Sequence, residues 1–193
     1  MKRIVSRNEL RGRAIGALVS NGFGVIWMVM ALRIGGVDSP LALGAVLVCG
    51  AVLLAGTLLL FREARRRPPA REHTDMWRGF AWALGLEALA IVVGLSILAR
   101  LHLEIYDLSL IAAIVGLHMF PLARIFRYQQ HYVTGAVMVA WVLLTVWLAP
   151  QSKVLTVTAL GTGVILWLSG VAIVLLARHL LRRTLPAVTP GAA

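Results

Sequence analysis

The chain holds one cysteine, Cys49, inside an apolar run. An intramolecular disulfide is therefore excluded, and no Cys-x-x-Cys site exists. Acid is scarce too: eight Asp and Glu stand against nineteen Lys and Arg, giving a formal net charge of +11. Charged residues of either sign make up only 14% of the chain. No HExxH, GxSxG or phosphate-binding glycine loop occurs, and no GxGxxG opens a helix after a strand. The sequence thus names no reaction, and the expectation is a non-enzymatic protein without a cofactor.

Metal and haem chemistry lack their ligands as well. His118 has no second histidine at its depth: His102 falls near one end of the spans, and His73, His131 and His179 near the other. Two axial ligands at one level are absent, and a tetrahedral metal site meets the same shortage. Glu72, His73 and Asp75 share one charged loop, which reads as a solvated segment.

What the chain has in abundance is apolar surface. Of its 193 residues, 60% are hydrophobic, against about 45–50% in an ordinary soluble domain. The excess lies in six runs, at 13–32, 41–61, 77–99, 107–126, 132–149 and 154–177. Each approaches or exceeds the ~20 residues that span a bilayer as a helix. None alternates as a strand would. The expected fold is all-α, a single six-helix transmembrane bundle over residues 1–193. The first run is longer than a signal-peptide core and no A-x-A site follows it, so it reads as a retained span.

The basic residues fall between these runs, almost all on one side. Sixteen of the nineteen lie in the N-terminal segment, the second-to-third and fourth-to-fifth connections, and the C-terminal segment. Only Arg33, Arg100 and Lys153 fall on the other side. The positive-inside rule then puts both termini in the cytoplasm, in a bacterial cytoplasmic membrane. No groove-reading motif or stacking array accompanies the charge, so the expected partners are the bilayer and its anionic head groups rather than nucleic acid. Arg124 and Arg127 are candidates for contact with a head group or another anion.

Three strongly polar side chains interrupt the spans: Asn21, Glu87 and His118. Counting from the basic side at ~1.5 Å per residue puts all three about 12–15 Å deep, with Ser169 level with them. A charge at the bilayer centre costs about 2.5–3.5 kcal/mol on insertion scales. Glu87 must therefore meet a partner or water, or carry a proton. The four residues are candidates for binding a ligand or a proton, and helices 1, 3 and 4 are expected to converge on them. Interhelical hydrogen bonding that only fixes the bundle is the competing role. Small residues share faces in helix 1 (Ala14, Ala17, Gly24) and helix 3 (Ala83, Ala90, Gly94), as close helix packing in lipid requires.

The segment Gly116-Leu117-His118-Met119-Phe120-Pro121, followed by Phe126, Tyr128 and His131-Tyr132-Val133-Thr134-Gly135, resembles the G-x-H-x-F-P stretch of a family of small, uncharacterised six-helix bacterial membrane proteins. The resemblance covers about twenty residues, together with chain length and span count. It implies an integral membrane protein, singles out His118 and Pro121, and implies no activity. Three function classes stay open: a small permease or proton-coupled transporter, a non-catalytic structural or accessory membrane protein, and an intramembrane enzyme.

Overall fold

A computed structural model of the protein describes residues 7–67, 74–126 and 128–184. Six α-helices carry it: α1 (Arg7–Ile34), α2 (Pro40–Arg65), α3 (Thr74–Arg100), α4 (Asp107–Ile125), α5 (Gln130–Leu148) and α6 (Val154–Thr184). Short 3-10 turns at Glu104–Tyr106 and Gln151–Lys153 lead into α4 and α6. No strand occurs among the described residues. All six helices are long and apolar enough to cross a membrane.

At the basic end the helices outrun their apolar stretches. α1 starts at Arg7 rather than 13, α2 continues to Arg65 and α6 to Thr184. Arg and Glu are good helix formers, so hydropathy marks where the apolar face stops and not where the backbone uncoils.

The turns follow local chemistry. Gly36 closes α1 at φ +69°. Its N–H donates to Arg33 O at 3.2 Å, and the Val37 N–H donates to Leu32 O at 2.9 Å. This is the paired closure in which glycine takes the left-handed position. Ser39 caps α2, its Oγ accepting from the Ala42 N–H at 3.4 Å with Pro40 in the first turn. α3 closes in the same way as α1, but His102 occupies the left-handed position at φ 55°, and the Leu103 N–H donates to Leu98 O at 2.9 Å. Asp107 is the first residue of α4, after Tyr106, and its buried Oδ1 has no hydrogen-bond partner.

α6 is the central helix, packing against α1, α2, α4 and α5. One apolar core joins α1, α2 and α6 at the basic end through Leu10, Ala14, Leu60 and Ile173. A second joins α1, α4, α5 and α6 through Trp27, Ala112, Met138 and Leu166. α3 enters neither core among the described residues and packs chiefly along α4. Trp82 accordingly points outward at 79% exposure and does not pack inside, because only one stripe of α3 meets a neighbour. The predicted small-residue face of α1 is real and lies against α6, where Gly24 meets the Trp167 ring.

Candidate functional site

Three contacts set the register of the α3–α4 seam. Gly79 faces Ile125, Glu87 faces His118 and Gly94 faces Leu110. The two helices run antiparallel, and the small residues at either end let them approach. His118 Nε2 stands 3.6 Å from Glu87 Oε2, with the side chains only 7% and 14% exposed. The pair is within ion-pair reach, and a movement of about 0.6 Å would bring it to hydrogen-bond length. With one proton between them the pair is either neutral or a zwitterion, and its net charge is zero in both cases. Without that proton it is an anion. Three residues beyond His118, Pro121 lies inside α4 and offers no N–H to the Leu117 carbonyl.

Asn21 does not join this pair. Its Nδ2 donates to Thr57 Oγ1 at 3.1 Å and to Leu53 O at 3.4 Å, both on α2. Thr57 Oγ1 donates in turn to Leu53 O at 3.0 Å. Asn21 Oδ1 lies against Gly170 of α6 and has no hydrogen-bond partner. Asn21 is 3% exposed and Thr57 fully buried. The expected convergence of helices 1, 3 and 4 is thus corrected: α1 packs on α6 and α2, and Asn21 ties those three helices together. Counting residues gives depth along a helix axis. It does not give the direction a helix faces around the bundle.

Ser169 belongs to another group. Its hydroxyl meets Thr134 Oγ1 of α5 at 2.9 Å, and its carbonyl accepts from Gln130 Nε2 at 3.0 Å. Gln130 Oε1 accepts from the Tyr128 hydroxyl at 2.7 Å. Thr134 Oγ1 also donates to Gln130 O at 3.1 Å, so its one proton is committed there and Ser169 is the donor to Thr134. A polar ladder therefore climbs from the α4–α5 turn to Ser169.

Tyr128, Gln130, His131 and Thr134 are the residues that counting missed. The Arg13 guanidinium sits 4.7 Å from the centre of the Tyr128 ring and pairs with Glu9 at 3.1 Å. His131 packs edge-on against Tyr128 at 5.2 Å and near Phe126 at 6.5 Å. It is 8% exposed, and its Nδ1 has no hydrogen-bond partner. Burial pushes the Tyr128 phenol above its usual range, and the Arg13 guanidinium opposes that shift. One signal was available: Tyr128 and His131 stand in the same stretch of sequence as His118. Both lie near the end of a span, where polar residues are common.

Arg124 lies exposed in the last turn of α4. Arg127 lies outside the described residues, as do Glu72 and His73. Among the described residues no three of His, Cys, Asp and Glu gather as metal ligands. Compared with protein-family models, curated proteins and solved structures, the chain matches none.

Proposed function

We propose that the chain is a multi-pass protein of a bacterial cytoplasmic membrane, with both termini in the cytoplasm, and that it works as a small proton-coupled permease. The observation that carries this reading is the Glu87–His118 pair, 3.6 Å apart on the seam of α3, which among the described residues belongs to neither core. In hydrocarbon the singly protonated pair has no net charge and stays closed. Loss of the proton leaves a net anion, whose burial costs several kcal/mol, about 2.5–3.5 on insertion scales. That cost favours a state in which Glu87 reaches water. α3 is the helix able to respond, because leaving α4 breaks up neither core. The Tyr128–Gln130–Ser169 ladder and His131 lie on the side from which a cytoplasmic proton would come.

The test is proton flux into proteoliposomes with a panel of candidate solutes, comparing wild type, Glu87→Gln and Glu87→Leu. Gln keeps the size and hydrogen bonding but cannot exchange a proton, so it should abolish flux and preserve the fold. Absence of pH-dependent flux in the wild type, with a stability loss for Leu alone, would reject transport.

One observation favours a second reading, a structural or accessory membrane protein. The Asn21–Thr57 and Thr134–Ser169 contacts are buried and hydrogen-bonded, as bundle-fixing contacts are. Such contacts contribute about 0.6–2 kcal/mol each and require no ligand.

A further inference from the structure

A cluster of arginines lies away from the Glu87–His118 pair. At the basic end, α2 and α6 border an open cleft of about 440 Å³. Five arginines line it: Arg62, Arg66 and Arg67 from the end of α2, and Arg178 and Arg182 from α6. Among the described residues Glu63 is the single carboxylate in its wall. It reaches Arg67 at 3.4 Å and Arg66 at 3.9 Å. No described carboxylate lies within ion-pair distance of Arg62, Arg178 or Arg182.

The spacing matters as much as the number. Arg62 lies in the last turn of α2 with Arg66, the cap that follows the helix, four residues on, and Arg178 and Arg182 are four apart on α6. Like charges at that spacing face one another and repel. Two such repelling pairs converge on one cleft, an arrangement relieved by a bound anion. Guanidinium groups match phosphate oxygens two at a time, which makes phosphate the anion of choice. The rest of the wall is apolar. Leu59 is 52% exposed, Leu60 is buried and Leu181 completes the lining. The arginines also emerge where the apolar stretches of α2 and α6 end, at the level of lipid head groups. A free phosphate would use the arginines and leave the leucines bare. A phospholipid uses both.

We propose that this cleft binds the phosphate of an anionic phospholipid, with the acyl chains running along Leu59 and Leu181. The inference rests on the membrane reading above, but not on proton exchange at Glu87.

The experiment uses the full chain in neutral detergent and after reconstitution into phosphatidylcholine vesicles. The probes are short-chain phosphatidylglycerol, short-chain phosphatidylcholine and inorganic phosphate. Binding is read as lipid retained in native mass spectrometry and as the shift in Tm. Wild type should bind phosphatidylglycerol at least about tenfold more tightly than phosphatidylcholine: both carry the phosphate, but choline brings a positive charge against the arginines, at a cost of about that factor. The double variant Arg62→Gln/Arg178→Gln should lose that preference, and Arg100→Gln, at the opposite end of the bundle, should keep it. Both variants alter exposed side chains, so both should fold. Equal binding of the two lipids, or an unchanged preference in the double variant, would overturn the proposal. Inorganic phosphate giving the same Tm shift as phosphatidylglycerol would overturn the lipid as the source of the phosphate. Failure of the wild type to enter vesicles would instead refute the membrane reading itself.

Discussion

Asn21 Oδ1 on α1 rests against the backbone of Gly170 on α6, so closely that a methyl group at Gly170 would overlap it. The contact works because position 170 has no side chain and because Asn21 is held from its other end by Thr57. Gly170→Ala should therefore destabilise the bundle by about 1–3 kcal/mol, the usual cost of overpacking. Asn21→Ala removes both the hydrogen bond and the obstacle. In the double variant the two losses should fall short of their sum, because residues in contact do not act independently. Thermal unfolding in detergent for the four members of the cycle checks this. Strict additivity would mean that the two positions do not touch.

His102 holds the left-handed position that glycine holds at the end of α1. An L side chain there is strained by about 1–2 kcal/mol, of which the extra chain entropy of glycine takes back a part. His102→Gly should raise stability by about 0.5–1 kcal/mol, seen as an increase in Tm. A decrease would show that the imidazole makes a contact worth more than the strain.

Much of this bundle is legible in the sequence, and the part that is not has a physical reason. Six apolar runs lead to six helices because a run of some twenty apolar residues has few other uses. Gly36, Ser39 and Pro40 end and start helices through backbone preferences that act within a few residues. The face of α1 that carries Ala14, Ala17 and Gly24 reads as a packing face because small residues let helices close up. Its partner, α6, does not follow from that pattern. Asn21 and Glu87 have similar depths and similar rarity, yet they meet different neighbours. Pairing between helices is decided by long-range contacts such as Gly24 against Trp167 and Gly116 against Gly135, which no local period encodes. His131 and Tyr128 were hidden for another reason. Their importance comes from Arg13, more than a hundred residues earlier in the chain, and from the turn that folds them back beside α1.

The proposed orientation rests on charge alone and is tested by labelling. In a Cys49→Ala background, single cysteines in place of Asp38 or Gln151 should react with an impermeant thiol reagent added to intact cells. A cysteine in place of Arg66 should react only after the cells are opened. The reverse pattern would invert the topology and move the arginine cleft to the outer face.

The central claim is that the Glu87–His118 pair takes up and gives back a proton, and infrared pH-difference spectroscopy of the reconstituted protein tests it without knowledge of any substrate. A protonated carboxyl has its own C=O stretch, which vanishes when the proton leaves. The wild type should show one such band that rises and falls reversibly with pH. The band should be missing in Glu87→Gln, and its titration should move in His118→Gln, which removes the partner 3.6 Å away. A wild-type spectrum in which no pH-dependent carboxyl band is lost with Glu87→Gln would contradict the account and leave the pair a fixed contact between α3 and α4.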